Sequence, residues 1–161
     1  LSLDDMRRRA VQEDRQVVAS EPLSATKLTR VLSGEGEQGL RVLLVGTDAM
    51  AARLFATHLT HDGHRVLCAS HGEQALALAL DHAPHVLVSE WDLPGLSGLD
   101  LVRTLRQSHV GARVHVILLA GRDEERRILE AFENGVDEYL PRPCDALVLQ
   151  ARVRAAQRVV Q

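Results

Sequence analysis

Aromatic residues are scarce in this chain: one Trp, one Tyr and two Phe make up 2% of its 161 residues. A core must therefore be built from Leu, Val, Ala and Ile. Hydrophobic residues reach 45%, which suits a packed domain and excludes a disordered chain. Cysteine is nearly absent too. Cys68 and Cys144 match no metal or redox spacing and are expected as free thiols in a reducing, cytoplasmic compartment. Neither sign of charge dominates, with 19 basic and 22 acidic residues and a net charge of −3. That leaves no basic footprint for nucleic acid or an anionic membrane, and neither is expected as a partner. No apolar run approaches the ~18 residues of a spanning helix, and no signal-peptide pattern opens the chain. The first residue is Leu1 and the last lies inside a helical pattern, as expected of a piece of a longer protein.

What is present falls into two parts. Residues 1–32 form a helical extension, the expected end of an upstream domain or linker. Its first helix is predicted over Asp4–Ser20, with Met6, Ala10 and Val17 as a thin apolar stripe, and Pro22 ends it. A second short helix is expected from about Leu23 to Leu32. The stretch Ser33-Gly34-Glu35-Gly36-Glu37-Gln38-Gly39 then reads as a flexible linker, since glycine and charge disfavour both helix and strand.

From residue 40 to 161, short apolar runs alternate with helical patterns. Strands are predicted at Arg41–Val45, Arg65–Ala69, His85–Ser89, Val114–Leu119 and Glu138–Leu140. Helices are predicted at Asp48–Asp62, Gly72–His82, Gly98–Gln107, Asp123–Asn134 and Asp145–Val160. Runs such as Val42-Leu43-Leu44-Val45 and Val116-Ile117-Leu118-Leu119 are continuous, not alternating, so both faces of those strands are covered. Five strands, each followed by a helix, give a doubly wound parallel α/β sheet. Ligands of such a sheet sit beyond the carboxyl ends of its strands. The residues that converge there are Gly46, Thr47 and Asp48, then Glu90, then Ala120 and Gly121, then Pro141, Arg142 and Pro143.

The segment Val88-Ser-Glu-Trp-Asp-Leu-Pro-Gly-Leu-Ser-Gly98 carries an acidic residue, Glu90, four positions before Pro94. It resembles the phosphoacceptor segment of bacterial response-regulator receiver domains of two-component (phosphorelay) signalling. The rest of the frame agrees: Leu44-Val45 ends the first strand, Gly98 follows Pro94, Gly135 precedes the last strand, and Arg142-Pro143 falls on the family's Lys-Pro pair. The resemblance covers residues 40–161 and implies a flavodoxin-like, three-layer (βα)5 sheet with strand order 2-1-3-4-5.

The family's chemistry also implies particular residues, and this chain departs from them. The acidic pair that holds Mg²⁺ is replaced by Gly46 and Thr47, with only the next residue, Asp48, acidic; no metal or other cofactor is therefore expected. The acceptor aspartate is Glu90, whose longer side chain carries its oxygens past the attack position. The hydroxyl that grips the phosphoryl group is replaced by Ala120, which has no donor. The lysine is replaced by Arg142, a planar fork instead of a point charge. Tyr139 keeps the place of the switching aromatic. The expectation is a pseudo-receiver with no catalytic residue, in which Glu90 and Arg142 form an ion pair. Glu90 resembles phosphoaspartate in charge and length, but Ala120 has no hydroxyl through which to relay that charge to Tyr139. Partners are expected among other signalling proteins or domains of the same chain. The alternatives are a working phosphoacceptor receiver and the regulatory part of a diguanylate cyclase.

Four further features bear on function. His58, His61 and His64 are spaced by three, but no other ligand completes a metal site. Gly46-Thr47-Asp48 is followed by Met50 and alanines, unlike the hydroxyl-rich turn of a flavin site. The mixed charges of Gly121–Arg127 suit a solvated face or, as the resemblance implies, a two-fold interface through the fourth helix, last strand and last helix. Leu149, Val153, Ala156 and Val160 recur at helical spacing, and the last helix is expected to pack in part on the sheet and run on toward an output domain.

Overall fold

The computed structural model describes residues 39–160. The helices and linker predicted before Gly39 lie outside the described residues. Five parallel strands form one sheet: β1 (Arg41–Val45), β2 (Arg65–Ala69), β3 (Val86–Glu90), β4 (His115–Ala120) and β5 (Glu138–Pro141). Their order is β2-β1-β3-β4-β5, the flavodoxin-like order expected from the sequence. The helices are α1 (Ala49–His61), α2 (Gly72–His82), α3 (Gly98–Arg106), α4 (Ile128–Glu133) and α5 (Ala146–Val160).

The continuous apolar strands do cover both faces. Along β1, Leu43 and Val45 point into one core with α2 and α3, where Leu76, Leu101 and Leu105 are buried. Val42 and Leu44 point into the other, with Phe55 and Leu59 of α1 and Leu149 and Val153 of α5. Alternation along each strand thus feeds two cores, as parallel sheets require. Helix starts follow from local chemistry. Asp48 accepts from Met50 N (3.0 Å) and Ala51 N (3.1 Å) to cap α1, and Ser97 accepts from Asp100 N (3.1 Å) to cap α3.

Two boundaries differ in kind from the sequence expectation. The helix predicted over Asp123–Asn134 is split: Arg122–Arg127 is a 3-10 turn, and α4 begins only at Ile128. No side chain caps the turn, and Arg127, at φ −106° and ψ 10°, interrupts the helical backbone. Gly39, read as the linker's last residue, is packed: a Cβ there would lie 2.0 Å from the Gly63 carbonyl oxygen. The whole stripe Leu149, Val153, Ala156 and Val160 packs against the second core, because α5 lies along α1.

The amino ends of the strands are densely bonded. Leu40 N donates to His64 Nδ1 (3.0 Å), and His64 is 3% exposed. Its other nitrogen, Nε2, is buried with no hydrogen-bond partner. Burial holds the His64 imidazole below its usual pKa; the Asp62 carboxylate opposes this and Arg154 adds to it. Arg154 of α5 grips Asp62 through Nε (2.7 Å) and Nη2 (2.9 Å). Arg106, at the end of α3, donates to the carbonyls of Gly135 (2.6 Å), Val114 (2.6 Å) and Gly111 (3.1 Å) and to Asp137 (2.9 Å).

Candidate functional site

The carboxyl ends of the strands bring the expected residues together. Gly46 follows β1 and donates to Ala69 O (3.0 Å) of β2. Glu90 ends β3, pairs with Leu119 of β4, and is continued by Trp91 N donating to Leu119 O (2.9 Å). Ala120 ends β4, and Arg142 N donates to its carbonyl (3.0 Å). Beside these ends lies an open cleft of about 820 Å³ whose lining includes Asp48, Glu90, Arg122 and Arg142 but neither Gly46 nor Ala120.

Glu90 is 7% exposed and turns toward β1. Its Oε2 accepts from Thr47 N (3.3 Å) and Thr47 Oγ1 (3.4 Å). Arg142 Nη1 stands 3.9 Å from the same oxygen. The expected Glu90–Arg142 pair is therefore present as an attraction across the cleft, too long for a hydrogen bond. Asp48, the one acidic residue near the end of β1, has its Oδ1 engaged in capping α1. Ala120 is 1% exposed and offers the cleft no donor. Among the described residues, no three His, Cys, Asp or Glu side chains are grouped to hold a metal ion.

Tyr139 packs against the core shared with α2 and α3. Its hydroxyl is pushed above the usual phenol range, first by burial and then by the Glu125 carboxylate. Cys68 and Cys144 are free thiols, and burial pushes Cys68 up to about 11. His58, His61 and His64 form no cluster; His64 is buried against the backbone of Leu40.

Two features escaped the sequence. Thr47 donates twice to the carboxylate, although a hydroxyl beside a strand end was the available signal. Arg127 lies over the ring of Trp91, with its guanidinium carbon 4.9 Å from the centroid. Trp91 is 4% exposed, so the segment after β4 is laid onto the residue next to Glu90. Nothing local in the charged run foretells that contact.

This geometry has counterparts among known proteins. The family model described as "Response regulator receiver domain" matches residues 42–154. The phosphate regulon transcriptional regulatory protein PhoB of Pseudomonas aeruginosa is 31% identical over 74% of this chain and 52% of its own length. The transcriptional regulatory protein CpxR of Klebsiella pneumoniae is 38% identical over 73% of this chain and 49% of its own. The chain thus spans about half the length of the curated relatives it matches. The receiver domain of the Francisella response regulator 1452 superposes with a TM-score of 0.70 at 27% identity, covering 76% of this chain and all of that domain. With the sheet order, the strand-end cleft and these matches in hand, the chain belongs to the response regulator receiver domain family of two-component signalling.

Proposed function

We propose that this receiver domain signals by protein contact and helix geometry, without accepting a phosphoryl group. The observation that carries this reading is the engagement of its carboxylates. Glu90 Oε2 is held by Thr47, and Asp48 Oδ1 is held by the first turn of α1. Mg²⁺ needs oxygen ligands in near-octahedral array at ~2.1 Å. The residues present do not fit that ion: Gly46 has no side-chain oxygen, and each of the two nearby carboxylates has one oxygen turned to another partner. Phosphoryl transfer depends on positioning and charge stabilisation. Here Glu90 Oε2 is turned to Thr47, and Ala120 supplies no hydroxyl.

The partners fitting this reading are other signalling proteins or domains of the same chain. Leu129 and Phe132 of α4 and Val148 of α5 are 71%, 44% and 45% exposed. They support the α4–β5–α5 side as the contact face, including for a homodimer. Residues 1–32 would belong to an upstream segment, and α5 would lead toward an output domain. The relatives' names favour control of transcription as that output; a glycine-glycine-acidic motif downstream would instead favour a diguanylate cyclase.

The test titrates Mg²⁺ with beryllofluoride and follows the fluorescence of Trp91, which adjoins Glu90. The expected result is no response from the native chain or from Glu90→Asp, since Gly46 and Ala120 stay unchanged. A saturable, metal-dependent response of the native chain would overturn the reading.

A further inference from the structure

We propose that Gly46 is a positioning residue: its missing side chain makes the niche that receives the Glu90 carboxylate, so that the protein's own charge closes the place of a divalent cation. This rests on the reading above and deepens it. A Cβ built on Gly46 would lie 2.8 Å from Glu90 Oε1, 2.9 Å from Cδ and 3.3 Å from Cγ. Three successive atoms of one side chain therefore lie over the glycine.

The backbone does not ask for glycine at this position. The described glycines with positive φ are Gly63, Gly95 and Gly135; Gly46 is not among them. A Cβ built on Gly39, Gly72, Gly98 or Gly111 would instead fall on a backbone carbonyl oxygen. At Gly46 the three nearest atoms all belong to the Glu90 side chain. The absence of a side chain at 46 is thus matched to the extra length at 90. Thr47 completes the arrangement, since its amide and hydroxyl both point at Oε2.

The two substitutions consequently act as one unit. Any side chain at 46 meets the flexible end of Glu90 and must push it toward the cleft and Arg142. An aspartate at 46 would add a second negative charge against it. Glu90→Asp alone withdraws the carboxylate and leaves the niche unfilled. Neither change by itself rebuilds an acidic site.

The test is a double-mutant cycle on the full chain with Gly46→Ala and Glu90→Asp, read two ways. One readout is the unfolding midpoint. The other is the Thr47 amide resonance, which reports the hydrogen bond to Oε2. Gly46→Ala is expected to move the Thr47 resonance and, since the flexible end of Glu90 can swing away, to lower the midpoint by no more than about 2 °C. In the Glu90→Asp background, both effects should fall to less than half, because the added methyl enters vacated space. Equal effects in the two backgrounds, or a Gly46→Ala variant indistinguishable from the native chain in both readouts, would overturn the proposal. The beryllofluoride titration separates this from the functional reading. Silence there with an uncoupled cycle removes the Gly46–Glu90 unit alone. A response there with a coupled cycle removes the phosphate-independent reading and leaves the niche.

Discussion

The two ends of the sheet are built on different principles. At the amino ends, each turn is tied by a side chain that reaches a distant backbone group: His64 to Leu40, Arg106 to Gly135 and Val114. At the carboxyl ends, the central carboxylate is held by bonds of 3.3 and 3.4 Å and a cation at 3.9 Å beneath an open cleft. The first end fixes the frame through close contacts, those of Arg106 being charge-assisted. The second fixes a state through loose contacts that can be replaced one at a time.

The sharpest way to break that contrast is Arg106→Ala. It removes donors from the carbonyls of Gly111, Val114 and Gly135 and leaves Asp137 without its guanidinium. A loss of about 3 kcal/mol in urea unfolding is expected. A loss no larger than that of a surface substitution would mean that the frame does not rest on this end.

A smaller effect at the same end is pH-dependent. The folded-state pKa of His64 is depressed, mainly by burial, so the unfolded chain binds the proton more readily. The stability this histidine confers is whole above its ordinary pKa of about 6.5 and is lost as pH falls below it. His85, depressed by burial and by Arg41, acts in the same direction. Asp62, held low chiefly by Arg154, contributes only in a separate window below the ordinary carboxylate range. His64→Gln keeps an acceptor for Leu40 N and should flatten the fall in unfolding midpoint between about pH 7 and 5. An unchanged slope would place the titrating group elsewhere.

The smallest expected effect lies at the carboxyl end. Arg127→Ala uncovers Trp91, so its emission should shift to the red while the unfolding midpoint barely moves. A large drop in midpoint would show that this end also carries the frame.

Much of the architecture was legible because local chemistry and burial agree. Asp48 and Ser97 mark helix starts, and runs such as Val42–Val45 mark strands covered on both faces. The fourth helix was not legible in full. Its first half is diverted into a 3-10 turn whose last residue, Arg127, lies on Trp91, a contact across 36 positions that no periodicity encodes. At the site, the sequence named the strand-end residues that converge there, and the Glu90–Arg142 attraction was foreseeable from charge. The relation between Gly46 and Glu90 was not, because a glycine says nothing about which neighbour occupies its missing side chain.

Helix α5 is pinned on both sides. On one flank Arg154 grips Asp62 after α1; on the other, Arg152 reaches Glu138 of β5 at 3.3 Å. A helix of 15 residues rises ~22 Å at ~1.5 Å per residue. Clamped near its middle on both flanks, it is a beam on a fulcrum. A tilt of ~5° of such a beam swings each of its ends by roughly 1 Å, in opposite directions. Pressure on the cleft side of α5, beside Pro143 and Cys144, would therefore appear as an opposite displacement at Val160.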